Sequence, residues 1–168
     1  MTIAELLLPE YDQEMAGTRK TLERVPQDKF AYKPDPRSMS MGRLAGHVAE
    51  MPGFGVSILQ ADEIDMATGY QPFEPATSAQ LLAEFDKNAA AARAAIEATS
   101  DEAFAKTWTL KAGETVYFSM PRVAAIRTMV MNHVIHHRAQ LTVYFRLNAI
   151  PVPGLYGPSA DEQMGAGA

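Results

Sequence analysis

RVAAIRTMVMNHVIHHRAQLTVYFR, residues 122–146, decides the reading of this 168-residue chain. At about 100° per residue, Val123, Ile126, Val130, Val134, His137, Leu141 and Tyr144 share one apolar sector, so the stretch predicts an amphipathic helix. It runs about 25 residues and ends near Asn148 and Pro151. Three of the chain's four histidines lie on it. His137 falls within the core stripe; His133, one turn earlier, lies about 40° away at its margin, so the two rings are neighbours on one face. His136 turns about 60° from His133 to the other side, toward Asn132 and Gln140. The pair expected to converge inward is His133 and His137.

Working outward, Tyr11, Met15, Leu22 and Val25 recur at helical spacing with Thr18 on the same stripe, and Pro26 closes that helix. Ser38 or Ser40 can cap a second helix carrying Leu44, His47, Val48 and Met51 on one side, and Pro52 with two nearby glycines is expected to bend or interrupt it. A third helix starts near Thr77 or Ser78 and runs through Leu81, Phe85, Ala92 and Ile96. The segment TWTLKAGETVYFSMP alternates weakly around Gly113, a short extended excursion whose period is too brief to establish a sheet. Four amphipathic helices without a strong strand pattern predict an all-α fold, a four-helix bundle. The length fits one domain, residues 1–156, and the tail GPSADEQMGAGA, residues 157–168, is expected to be flexible.

Composition narrows the partners. Hydrophobic residues make up 47% of the chain and charged residues 21%, enough to fill a core and stay soluble. A formal net charge of -5 with scattered basic residues argues against nucleic acid, whose phosphates are held by Lys and Arg. No cysteine is present, which excludes disulfides, a protein thiol nucleophile and Cys-ligated metal. MTIAELLLPEYDQE has no basic region or cleavage site, so it does not read as a signal peptide, and no stretch is apolar enough to span a membrane. The expected location is the cytoplasm.

His47 also sits on an apolar face, and in a bundle two such faces can meet. Three neutral imidazoles, His47 with His133 and His137, could then coordinate a divalent transition metal and leave positions open. The competing reading is a set of hydrogen-bonded core or surface histidines, because any histidine-bearing helix can produce HxxxH. The spacing alone favours the second. No His-Glu-x-x-His motif is present, so zincin-type chemistry is not indicated. Glu50, one turn beyond His47, could orient a ligand, although such a Glu is usually solvated. Asn132 and Gln140 could back the histidines. Arg138 could meet a substrate carboxylate; its ordinary role at that position is to pair with surface acids. Trp108, Tyr117, Tyr144 and the methionines read as core before pocket lining.

The blocks TRKTLERVPQDKFAYKPDPRSMSMGRLAGHVAEM (residues 18–51) and NHVIHHRAQLTVYFRLNAIPVPGLYGPSADE (residues 132–162) together resemble the DinB/YfiT-like superfamily. The resemblance covers nearly the whole chain. It implies a bundle with up-down-down-up topology, frequent homodimers, and a divalent metal such as nickel or zinc held by the residues matching His47, His133 and His137. His136 matches an extra histidine outside that set. The chain departs from the pattern at Asp35-Pro36, where relatives often carry His-Pro.

Some branches of the family resemble thiol-dependent transferases or isomerases, which implies small-molecule thiol and electrophile partners. Three functions follow for comparison: a metal-dependent small-molecule enzyme, a non-catalytic metal-binding or stress-associated interaction protein, and a metal-dependent hydrolase. An open coordination position beside a wet cleft would favour the first, and a closed, fully ligated ion the second. No independently placed acid or base supports the third.

Overall fold

In the computed structural model, residues 1–163 are described and are mostly helical, about 60%. α1 (Ile3–Leu22) starts earlier than the apolar stripe suggests because Thr2 and Glu5 form a reciprocal capping box. Pro9 lies in that helix, and Val25 falls in the turn beyond it. α2 (Met41–Gln60), capped by Ser40, runs on through Pro52 without interruption. The missing amide there is a local loss only, while the buried face on both sides of Pro52, from Leu44 to Leu59, holds the axis together. α3 (Ser78–Ala98) is capped by Thr77, and the short α4 (Asp101–Ala105) by Ser100.

The expectation of an all-α chain is corrected by a three-stranded sheet. β1 (Glu63–Asp65) runs parallel to β2 (Thr107–Ala112), which pairs antiparallel with β3 (Thr115–Pro121). Gly113, at φ 56°, supplies the positive dihedral that a two-residue hairpin needs. Trp108 and Leu110 point inward from β2 and are buried. Trp108 packs between Phe54 of α2 and Phe118 of β3, with ring centroids 5.9 and 6.2 Å away. That anchoring stabilises a strand pair whose alternation is too short to be decisive in sequence.

The predicted last helix is one continuous run in three parts: α5 (Arg122–Ala125), a π-helical segment (Ile126–Asn132) and α6 (His133–Leu147). Ile126, Val130, Val134, His137, Leu141 and Tyr144 are buried as the stripe requires. Asn148 ends it, and Ala149 takes a left-handed φ of 55°. α1 and α2 each pack against both α3 and α6. Tyr11 on α1 donates to the Ala89 carbonyl on α3 at 3.0 Å, tying two of these faces across the core.

Arg138 is not a surface residue. Its side chain is buried against α1, where it meets Glu14 Oε2 at 2.7 Å, the Glu14 carbonyl at 3.0 Å and Thr18 Oγ1 at 3.1 Å. Met131, Val134, Leu141 and Phe145 share that buried side, so the helix has an apolar surface wider than one stripe and Arg138 is carried in with it. Beyond the helix, Val152 N donates to Asp161 at 2.8 Å and Gly154 N to Glu162 at 3.0 Å, while Lys20 of α1 and Arg24 in the turn after it pair with Glu162. Residues 164–168, the rest of the tail expected to be flexible, lie outside the described residues. Among the described residues no helix is long and apolar enough to cross a membrane.

Candidate metal centre

α2 and α6 pack together and bring His47 to His133 and His137. His47 Nε2 lies 3.4 Å from His133 Nε2, which lies 2.8 Å from His137 Nε2. One ring nitrogen from each of the three falls within 4.8 Å of the others, so the cluster could hold a metal ion. His136 is exposed and only its ring edge approaches His137, as the helix-face reading expects.

The opposite edges of the rings are committed. His47 Nδ1–H donates to Glu50 Oε1 at 2.9 Å, and His137 Nδ1–H donates to Gln140 Oε1 at 2.7 Å. His133 is backed by the Met129 carbonyl one turn earlier. The Glu50 and Gln140 bonds select the Nδ1–H tautomer of His47 and His137 and leave those two Nε2 lone pairs facing the centre. At 2.8 Å the His133 and His137 Nε2 atoms are at hydrogen-bond distance, so one neutral ring can donate to the other, whereas an added proton is disfavoured: burial and the neighbouring His137 and His47 push the pKa of His133 down to about 4. His137 is also lowered, chiefly by burial and partly offset by Gln140. A shared cation would take the place of the hydrogen-bonding proton between the rings. In tetrahedral ligation imidazole nitrogens stand about 3.3 Å apart, close to the 3.4 Å seen for His47 and His133, and a small opening of the His133–His137 edge completes the set. Three borderline nitrogen donors suit a divalent transition metal.

Glu50 does more than touch one ring. It accepts from Arg43 at 3.2 Å, from the Tyr70 hydroxyl and from the Phe73 amide at 3.0 Å. Burial works to raise its carboxyl pKa, but the bonds from His47, Tyr70 and Phe73 with the Arg43 charge outweigh burial and hold it below the usual range. The segment between α2 and α3 is thereby drawn over the site. Gly46 permits the approach, since a Cβ there would lie 2.4 Å from the Phe73 carbonyl oxygen. Asn132, offered by sequence as a second backing residue, is exposed.

A cavity of about 130 Å³ opens beside His47 and His133. Met51, Phe54, Met66, Leu110, Met129 and Tyr70 complete its lining. Nothing in the residue pattern marks Tyr70 or Leu110; the methionines, read from sequence as core before pocket lining, supply Met51, Met66 and Met129 to the lining. A larger groove of about 370 Å³ lies by Arg138 and Tyr156. It is far less suited to chemistry, as Arg138 is already engaged by Glu14 and Tyr156.

The family model of the DinB superfamily matches residues 10–141. The chain therefore belongs to the DinB superfamily. It is 26% identical over 159 residues to YrdA, an uncharacterised protein of Bacillus subtilis, covering 92% of this chain and 89% of that one. Its fold is similar to the crystal structure of YjoA, a DinB-like protein of Bacillus subtilis, with a TM-score of 0.69 at 17% identity over 95% of this chain and 99% of that one. A DinB-like protein from Bacillus cereus is similar at TM-score 0.67 and 21% identity, over 89% and 95% of the two chains.

Proposed function

We propose that this DinB-superfamily protein holds a divalent transition metal, nickel or zinc, on His47, His133 and His137 and uses it in small-molecule chemistry, a thiol-dependent transfer or isomerisation. The observation that carries the reading is the convergence of three Nε2 atoms, with the Nδ1 sides of His47 and His137 already taken by Glu50 and Gln140. When bound, such an ion lowers the pKa of a coordinated thiol or water and polarises an acceptor.

The protein's own groups supply the rest. Glu50 and Gln140 fix ring orientation, and the methionines with Phe54 exclude water from the chamber side. Burial and Glu50 push the Tyr70 hydroxyl up to about 12, so it remains a protonated donor to Glu50 and does not serve as a base. Thiol preference rests on the family resemblance.

Turnover of a panel of low-molecular-weight thiols and electrophiles, measured with metal-loaded and chelator-treated protein, tests the reading. Metal-dependent turnover supports it, and equal genuine turnover by both forms overturns it. The second reading, a non-catalytic metal-binding protein, is favoured by the placement of His47 on α2 and the other two histidines on α6, since an ion there would staple two helices. It predicts a metal-dependent rise in Tm and no turnover. The same proposal takes residues 1–156 as a bundle domain with up-down-down-up helices, in a cytoplasmic homodimer. Light scattering over a range of protein concentrations tests the assembly, and a persistent monomer mass removes it.

A further inference from the structure

We propose that the 130 Å³ chamber beside His47 and His133 is the binding site for the hydrocarbon part of a small acceptor: a ring-sized or branched-alkyl body carrying one donor atom. The assignment rests on the metal reading for the donor atom and on the chamber alone for the body. Met51, Phe54, Met66, Leu110 and Met129 are apolar side chains, and the polar groups among the lining are the two imidazoles and the Tyr70 hydroxyl. That hydroxyl already donates to Glu50. The chamber thus has one polar pole, at the histidines, and hydrocarbon or thioether elsewhere.

Size and compliance fit the same ligand. A closed apolar cavity of about 150 Å³ is known to take a benzene ring, so this volume accommodates one ring and little more. Phe54 forms a firm wall because its ring packs edge-on against the fully buried Trp108 at 5.9 Å. The three methionines are unbranched and polarisable, and adjust to the outline of a ring or branched chain. A ligand with several polar groups would leave them without partners, which costs binding strongly.

The test uses fluorobenzene and 5-fluorouracil, two rings of similar size and opposite polarity, followed by ¹⁹F NMR on the full chain with metal content measured on the same samples. Fluorobenzene is expected to bind saturably to loaded and metal-free protein, about tenfold or more tighter than 5-fluorouracil. Met66→Trp and Met129→Phe, which fill the chamber from two separate elements, are expected to abolish that binding while metal content stays at the wild-type level. The absence of saturable fluorobenzene binding by the wild type, equal affinity for both rings, or binding that persists in a folded filling variant overturns the proposal. Fluorobenzene binding by a natively purified wild type that holds no metal and takes none up when offered nickel or zinc would sink the metal reading and leave the chamber assignment supported.

Discussion

The Nδ1 of His47 lies 2.9 Å from the Glu50 carboxylate, one turn further along α2. A carboxylate behind an imidazole fixes its tautomer and raises the basicity of the far nitrogen, and removing such a group typically weakens metal affinity about 10–100-fold. Glu50→Ala is therefore expected to raise the metal Kd by that factor, with a smaller rise for Glu50→Gln, which keeps an accepting oxygen. Competition against a chromophoric chelator measures both. An unchanged Kd in Glu50→Ala would remove Glu50 from the site.

Acid should destabilise the metal-free protein through His133. Its folded pKa is depressed to about 4, chiefly by burial, whereas an unfolded histidine titrates near 6.5. The unfolded chain takes up the proton first, so the contribution of neutral His133 to stability is present above about 6.5 and is lost as pH falls toward about 4. Urea unfolding of chelator-treated protein across that window should show a steeper loss for the wild type than for His133→Gln. Parallel pH profiles would contradict the assignment.

Arg138 and Glu14 form a pair buried on both sides, their side chains 3% and 7% exposed. Glu14→Leu strands the guanidinium and is expected to cost about 3–5 kcal/mol, while Glu14→Leu with Arg138→Met recovers much of the loss because no lone charge remains inside. Denaturant unfolding compares the three proteins. A double variant no more stable than the single one would show that the pair is not the source of the cost.

How legible this was from the residues varied with the range of the interaction. The stripes of α2, α3 and the last helix are local patterns, and the His133/His137 face followed from helix geometry even though Ile126–Asn132 is π-helical. The start of α1 is also local, in the Thr2–Glu5 capping pair, but it lies more than two turns before the apolar stripe that begins at Tyr11. The sheet was not legible, since β2 depends on Trp108 meeting Phe54 from a helix some fifty residues earlier in the chain. Arg138 illustrates the same limit: its burial depends on Glu14 and Tyr156, distant in sequence and brought together only by packing. Tyr70 and Phe73 reach Glu50 because the segment after α2 folds back over Gly46, a closure with no signature in composition.

Metal content after identical native purification tests the three-histidine centre most directly. The wild type and His136→Ala are expected to carry about one transition-metal ion per chain, while His47→Ala, His133→Ala and His137→Ala each lose most of it. Inductively coupled plasma mass spectrometry on folded, monodisperse samples gives the ratio. Full occupancy in His137→Ala, or a loss in His136→Ala equal to that in His137→Ala, would contradict the centre.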